Sequence, residues 1–257
     1  MSSSKLRQSI INALIDHSEC TITQLSLRTG FSRVSISAEL SSLCDTGTVK
    51  KKNKSRAFKL QDNSAFIIYK LHEKDAEVVC VSSDKSVLER KTLSFLYSLS
   101  YEENVTFLSA NVQKQYSVLK KKYERVFLCV VYDKEINLSR IISRQFEIRE
   151  SRHSLTARYM ALMFKEESVL YCDTYAGFSC LVLRGLSIGK PCFTHDPLSK
   201  LLPAALSLFT PDIIFVEADN NDEIKNLLSN TSNVPLSVSG SVLRADEKQI
   251  VIECLCK

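Results

Sequence analysis

Between residues 32 and 56 lies a set of side chains suited to one kind of chemistry, the neutralisation and reading of a duplex polyanion. Ser32, Arg33, Val34, Ser35 and Ser37 put small groups and one early guanidinium on a single short stretch, and Lys50, Lys51, Lys52, Lys54 and Arg56 follow as a dense run of cations. Hydroxyls and an arginine on a slim helix can reach base edges in a major groove, whereas lysines on a hairpin meet phosphates or a minor groove. A run of lysines alone is usually a solvated edge. The elements that would carry these residues therefore have to supply the argument.

They form a consistent order. Leu6, Ile10, Ile11, Leu14 and Ile15 recur at helical spacing over residues 5–17, with Ser4 placed as an N-cap. Thr21 and Ile22 allow a short extended stretch, and Thr23 can cap a second helix over 24–28 whose apolar positions are Leu25 and Leu27. Gly30 gives the backbone freedom for a tight turn, Phe31 can pack beneath it, and Ser32 caps a third helix that runs to about residue 46, before Gly47. On that helix Ile36, Leu40 and Leu43 make one apolar stripe, which leaves Arg33, Val34, Ser37, Ala38 and Ser41 on other faces. Residues 48–52 and 56–60 read as two strands around Asn53 and Lys54, a basic hairpin. The sequence predicts a winged helix-turn-helix over residues 1–61 with double-stranded DNA as its partner. The charge agrees: these 61 residues hold ten Lys or Arg against four Asp or Glu, and the remaining 196 hold 24 against 25.

The whole chain, 257 residues at 44% hydrophobic, suits a small domain followed by one of ordinary size. No stretch has the apolar length of a membrane span, and the start carries charge inside its apolar run, so a cytoplasmic protein with no membrane partner is expected. The nine cysteines lie mostly inside apolar runs without CxxC pairing, which predicts reduced core thiols; IVIECLC at the end, with Cys254 and Cys256, reads as a terminal strand. The four histidines (His17, His72, His153 and His195) have no nucleophile motif beside them and read as structural or surface residues.

Beyond a polar joint at Gln61, Asp62 and Asn63, the domain over 62–257 predicts a mixed α/β fold. FIIYKL, AEVVCVS and SVLERKTLSF read as an antiparallel meander, followed by a helix over 102–123, with Val105, Leu108, Val112, Tyr116 and Leu119 inward, and a buried strand RVFLCVVYD. A helix over 152–164, strands SVLYCDT and FSCLVLRG, a helix over 197–209, the strand DIIFVEA and a helix over 222–228 complete the pattern, without an internal sequence repeat.

This order, with the run VLYCDTYAGFSCLVLRGLSIGK and the segment LSKLLPAALSLFTPDIIFVEA, resembles the ROK family of repressors and sugar kinases over roughly residues 1–230. The resemblance implies an actin-like, ribonuclease-H-like fold, and the departures from it imply that phosphoryl transfer is lost. Lys70 and His72 stand about where the family's kinases carry a phosphate-positioning Asp and Gly, and Ser154 and Thr156 stand near the sites of its catalytic Asp-Ala-Asn segment. The phosphate loop retains only Gly177 and Gly185, and no cysteine-rich zinc segment follows His195. Gly189 and Gly240 are the only other glycines of the larger domain, too few for a phosphate cradle. Asp173, with Thr174 behind it, reads as a capped turn rather than an acidic ligand. What is expected is a DNA-binding transcription regulator acting as a repressor, not an enzyme. It would have no cofactor or metal, pair as a homodimer, and leave room for a small-molecule effector. An active sugar kinase with a DNA-binding appendage and a winged-helix protein–protein assembly factor are the competing readings.

Overall fold

The structure is a computed structural model that describes residues 3–52, 56–61, 63–72, 74–84, 86–133, 146–164, 167–173, 178–183, 186–193, 203, 206–208, 210–217, 234–239 and 243–256. The chain divides into two compact units, 1–151 with 250–257, and 152–249. The joint expected at 61–63 falls inside the first.

The first unit opens with α1 (Ser3–His17), whose Ile10, Ile11, Leu14 and Ile15 are buried. Ser4 lies within this helix, not at its cap; its Oγ accepts a bond from Gln8 Nε2. Strand β1 (Glu19–Thr21) follows, and then α2 (Ile22–Thr29), which starts two residues before the expected point because Thr21, not Thr23, is the N-cap. Thr21 Oγ1 accepts the Gln24 amide while Gln24 Oε1 accepts the Thr21 amide at 2.8 Å, a reciprocal capping box that Thr23 has no downstream Gln or Glu to close. Leu25 is fully buried, but Leu27 is 81% exposed; two residues on a helix lie about 200° apart, so both cannot face one core. Gly30 ends α2 at φ 71°, its amide donating to the Ser26 carbonyl, and the turn is tied again by Ser26 Oγ on the Phe31 carbonyl at 2.8 Å.

Helix α3 (Arg33–Asp45) buries Ile36, Leu40 and Leu43 and ends before Gly47, at φ 73°. Strands β2 (Val49–Lys51) and β3 (Ala57–Leu60) form the expected antiparallel hairpin, and β1 adds to it as a third strand in the order β1-β3-β2. This is a winged helix-turn-helix.

Next in the first unit come β4 (Ser64–Leu71), β5 (Asp75–Ser82), β6 (Val87–Ser94), α4 (Tyr101–Leu119), β7 (Arg125–Tyr132) and β8 (Ile148–Ser151). The sheet order is β6-β5-β4-β7-β8, with the three-strand meander antiparallel and β4, β7 and β8 parallel. Strand β4 is central and buried throughout, as a strand covered on both faces must be. One face places Ile67, Tyr69, Val78 and Leu128 under Val105, Leu108 and Val112 of α4; on the other, Phe66 stacks on Phe127 at 5.2 Å. Edge strand β8, IRES, carries too little apolar alternation to be seen in the sequence.

The second unit holds α5 (Arg152–Phe164), β9 (Val169–Asp173), β10 (Phe178–Leu183), β11 (Leu186–Phe193), β12 (Ile213–Glu217) and β13 (Leu236–Ser239). Its sheet order is β11-β10-β9-β12-β13, again with three antiparallel strands followed by two parallel ones. Both sheets therefore follow one topological plan, a repeat the sequence does not display. Helix α6 (Ala245–Leu255) corrects the expected terminal strand. Asp246 and Glu247 in its first turn favour a helix N-terminus, and the strand reading took a short run that is apolar almost throughout, in which no period can be distinguished. The residues expected to form helices over 197–209 and 222–228 lie mostly or wholly outside the described residues, as do Thr174, Gly177, Gly185, His195 and Gly240.

The capping box yields a stability prediction. Thr21→Ala should lower the unfolding free energy by about 1 kcal/mol, seen as a lower urea midpoint at unchanged slope; an unchanged midpoint would show that the box carries no load.

Candidate nucleic-acid interface

The N-terminal residues singled out in the sequence come to lie on two adjoining elements. Ser32 is the N-cap of α3: its Oγ accepts the Ser35 amide at 3.1 Å and sits 2.8 Å from Ser35 Oγ, so both hydroxyls are engaged in starting the helix while remaining exposed. Arg33, Val34, Ser37, Ala38 and Ser41 are all exposed, as the buried Ile36, Leu40 and Leu43 on the same helix require. Lys50, Lys51, Lys52 and Arg56 are exposed on the hairpin; Lys54 lies outside the described residues.

The hairpin's charges are not placed for internal stability. Lys50 stands directly across the ladder from Lys59, and like charges in that relation repel. Glu19 lies opposite Lys59 on its other side, and its carboxylate is 3.0 Å from Lys52 Nζ, so one acid serves several lysines. An exposed pair of this kind is worth little and exchanges readily for a phosphate. The surplus cations remain available to a polyanion.

Arg7 is the positioning residue that sequence reasoning missed. From α1 its Nε donates to Glu39 Oε1 at 2.5 Å and its Nη2 to Ser42 Oγ at 3.2 Å, both on α3, while Nη1 lies 3.4 Å from the Cys256 carbonyl. Glu39 is buried on a helix whose other buried positions, Ile36, Leu40 and Leu43, are all apolar, the one local hint that a cation must reach it.

The larger domain's candidate positions are buried or engaged by neighbouring side chains. Lys70 is buried in β4, in register with Glu77, whose carboxylate accepts from Arg90 Nη1 at 3.0 Å. His72 Nδ1 and Asp133 Oδ2 are 2.6 Å apart at the ends of parallel β4 and β7. In the second unit Ser154 accepts from Arg158 at 2.9 Å and Thr156 is buried. Asp173, read in the sequence as a capped turn, closes β9 with its carboxylate paired with Arg152 of α5, both side chains fully buried; Thr174 behind it lies outside the described residues. Beside it in parallel register is Glu217, which accepts from Tyr171 Oη at 2.7 Å and the Ala245 amide at 3.2 Å, and whose carboxyl burial pushes above its usual range. Among the described residues no group of three His, Cys, Asp or Glu could hold a metal ion. Cys20, Cys44, Cys80, Cys129, Cys172, Cys254 and Cys256 are free thiols, and burial pushes Cys172 and Cys256 up to about 12, which keeps them protonated and unreactive near neutrality. His17 is a surface residue, its Nε2 2.5 Å from Arg28 Nη1. His153 is half-buried, and burial lowers its pKa. No described helix is long and apolar enough to cross a membrane.

No family model matches the sequence, and no curated protein matches it. Solved structures do. A ROK family transcriptional regulator described as a homolog of the E. coli MLC protein aligns with 98% of this chain and 96% of its own, at 10% identity and a TM-score of 0.60. The ethanolamine utilization protein EutJ from Carboxydothermus hydrogenoformans covers 84% of this chain and 97% of its own, at 9% identity and a TM-score of 0.51. The inorganic polyphosphate/ATP-glucomannokinase of Arthrobacter sp. strain KM covers 74% and 98%, at 17% identity and 0.47. The chain carries an actin-like, ribonuclease-H-like fold behind its winged helix. That is the fold the resemblance implied, and the doubled strand order is its signature here.

If Lys50 and Lys51 each meet one phosphate, replacing either by Ala should reduce the slope of log affinity against log salt by about 0.9, on any duplex sequence. Full-length protein titrated onto labelled duplex by fluorescence anisotropy gives the slope, and an unchanged value would remove the hairpin from the interface.

Proposed function

We propose that this chain is a sequence-specific, double-stranded-DNA-binding transcription regulator, a repressor of the ROK type. In this reading residues 1–61 form the DNA-binding module and the actin-like remainder is non-catalytic, serving dimerisation and effector sensing in the cytoplasm. The observation that carries it is the pairing of an exposed, slim α3 with a cation-rich hairpin whose lysines face one another. Ser32, Arg33, Val34, Ser35 and Ser37 would meet the major groove, and Lys50, Lys51, Lys52, Lys54 and Arg56 the phosphates or minor groove. The likeness to a regulator over nearly the whole of both chains supports it at the level of fold.

Against the kinase reading stands the state of the acid at the end of β9. Ligands of open α/β sheets gather at the carboxyl ends of the strands, where phosphoryl transfer needs carboxylates available for metal and substrate. Asp173 is fully buried against Arg152, and Lys70 is closed inside β4. Purified full-length protein should release no phosphate from ATP in the presence of hexoses; sugar-dependent turnover above a no-protein control would overturn the non-catalytic assignment.

A single recognition helix reads too few base pairs to select one site in a genome, so the active form should be a two-fold dimer joined through residues beyond 62. Two copies of α3 would then meet major grooves about 34 to 36 Å apart, or a multiple of that spacing, and the site should be an inverted repeat. Sedimentation of the full chain at micromolar concentration should give a dimer. Arg33→Ala should cost about 1 to 3 kcal/mol of discrimination in both half-sites if Arg33 makes a bidentate base contact. A full-length monomer that selects one short asymmetric site would contradict the dimer.

A further inference from the structure

Helix α3 breaks two local rules at neighbouring exposed positions. Its first turn contains no acidic residue and instead begins with Arg33, a cation at the end of the helix dipole that disfavours cations. Next to it Val34 is 81% exposed, the one large apolar side chain that α3 presents to solvent. A β-branched residue there gains nothing from packing, restricts its own side chain in a helix, and leaves two methyl groups in water. Neither choice serves the stability of the module, and adjacent violations of this kind mark a surface shaped by a partner.

The partner has to accept a cation and an apolar group side by side. In the major groove guanine offers two acceptors to an arginine, and thymine offers the only apolar group of any base edge, its C5 methyl. The surroundings supply the complementary charge: an N-terminal segment with ten cations against four acids, and exposed Lys50, Lys51 and Lys52 on the hairpin that follows α3. Helix α3 is held by its buried stripe and by Arg7, so Val34 is displayed from a fixed scaffold. We infer that Val34 is a specificity-determining residue that covers the C5 methyl of one thymine in each half-site. This rests on the DNA-binding reading above and adds to it a base, a chemical group and a single side chain.

The test removes the methyl group from the DNA without disturbing base pairing. A duplex is selected from a randomised pool by the full-length protein, and each thymine is replaced in turn by deoxyuridine. With the wild-type chain one position per half-site should lose affinity by about fourfold, the weight of one buried methyl group. With Val34→Ala the thymine and deoxyuridine duplexes should bind equally well at that position. A deoxyuridine penalty of the same size in Val34→Ala, or no sensitive thymine in a selected duplex that binds tightly, would overturn the inference while leaving the DNA-binding reading in place. Failure to retain any duplex at low salt would overturn both, and the two failures are thereby distinguished. Because Val34 is exposed, the substitution leaves the core of α3 intact.

Discussion

Arg7 crosses from α1 to α3 and binds Glu39 and Ser42 there, and the orientation of α3 depends on that reach. The apolar stripe of Ile36, Leu40 and Leu43 sets which face of α3 is inward, but apolar burial is non-directional and allows a helix to slide or roll by small amounts. A charge-assisted pair with a second bond to a neighbouring hydroxyl fixes the axial position as well. Bonds of this type contribute about 1.5 to 3 kcal/mol, and truncating Arg7 would leave the Glu39 carboxylate nearly buried without its cation, so the cost of losing the contact exceeds its worth. Everything proposed for the outward face, from Ser32 to Ser41, depends on that inward attachment.

The same logic of internal pairing governs the larger part of the chain. In the second unit the carboxyl ends of β9 and β12 bring Asp173 and Glu217 side by side, a juxtaposition that in an open site would bind a metal or a phosphate-bearing ligand. Here Arg152 neutralises the first, and Tyr171 with the first amide of α6 satisfies the second. A fully buried ion pair gains little net stability over apolar packing but is costly to break, so it holds a fixed geometry. Among the described residues, the acids at these two strand ends are thus engaged by internal partners, which supports the non-catalytic role proposed for this domain.

Local signals were legible in the sequence and long-range ones were not. Gly30, Ser32 and Gly47 fix the limits of α3 through chemistry confined to a few residues, and α5 begins and ends where its pattern does. Thr21 and Thr23 are equally plausible caps by residue type, and only the reciprocal bond between Thr21 and Gln24 decides between them. Leu27 reads as inward by its hydrophobicity alone, although its angle to Leu25 places it outside. Arg7 and Glu39 are 32 residues apart, and nothing in the order of residues links them. The terminal helix α6 reads as a strand in the sequence because IVIECLC is a short run, apolar almost throughout, in which the periods of helix and strand are not distinguishable. Duplication of the sheet plan was invisible for a similar reason: topology is set by which strands pair, and very different sequences satisfy one order.

In the proposed regulator, α3 and the basic hairpin together would select particular genomic sites. The most direct measurement is sequencing of the genomic DNA that the full-length protein retains from its own cells after crosslinking. The recovered fragments should share one inverted repeat whose half-sites are spaced by a whole number of helical turns. Recovered DNA no different in sequence from the input would contradict it.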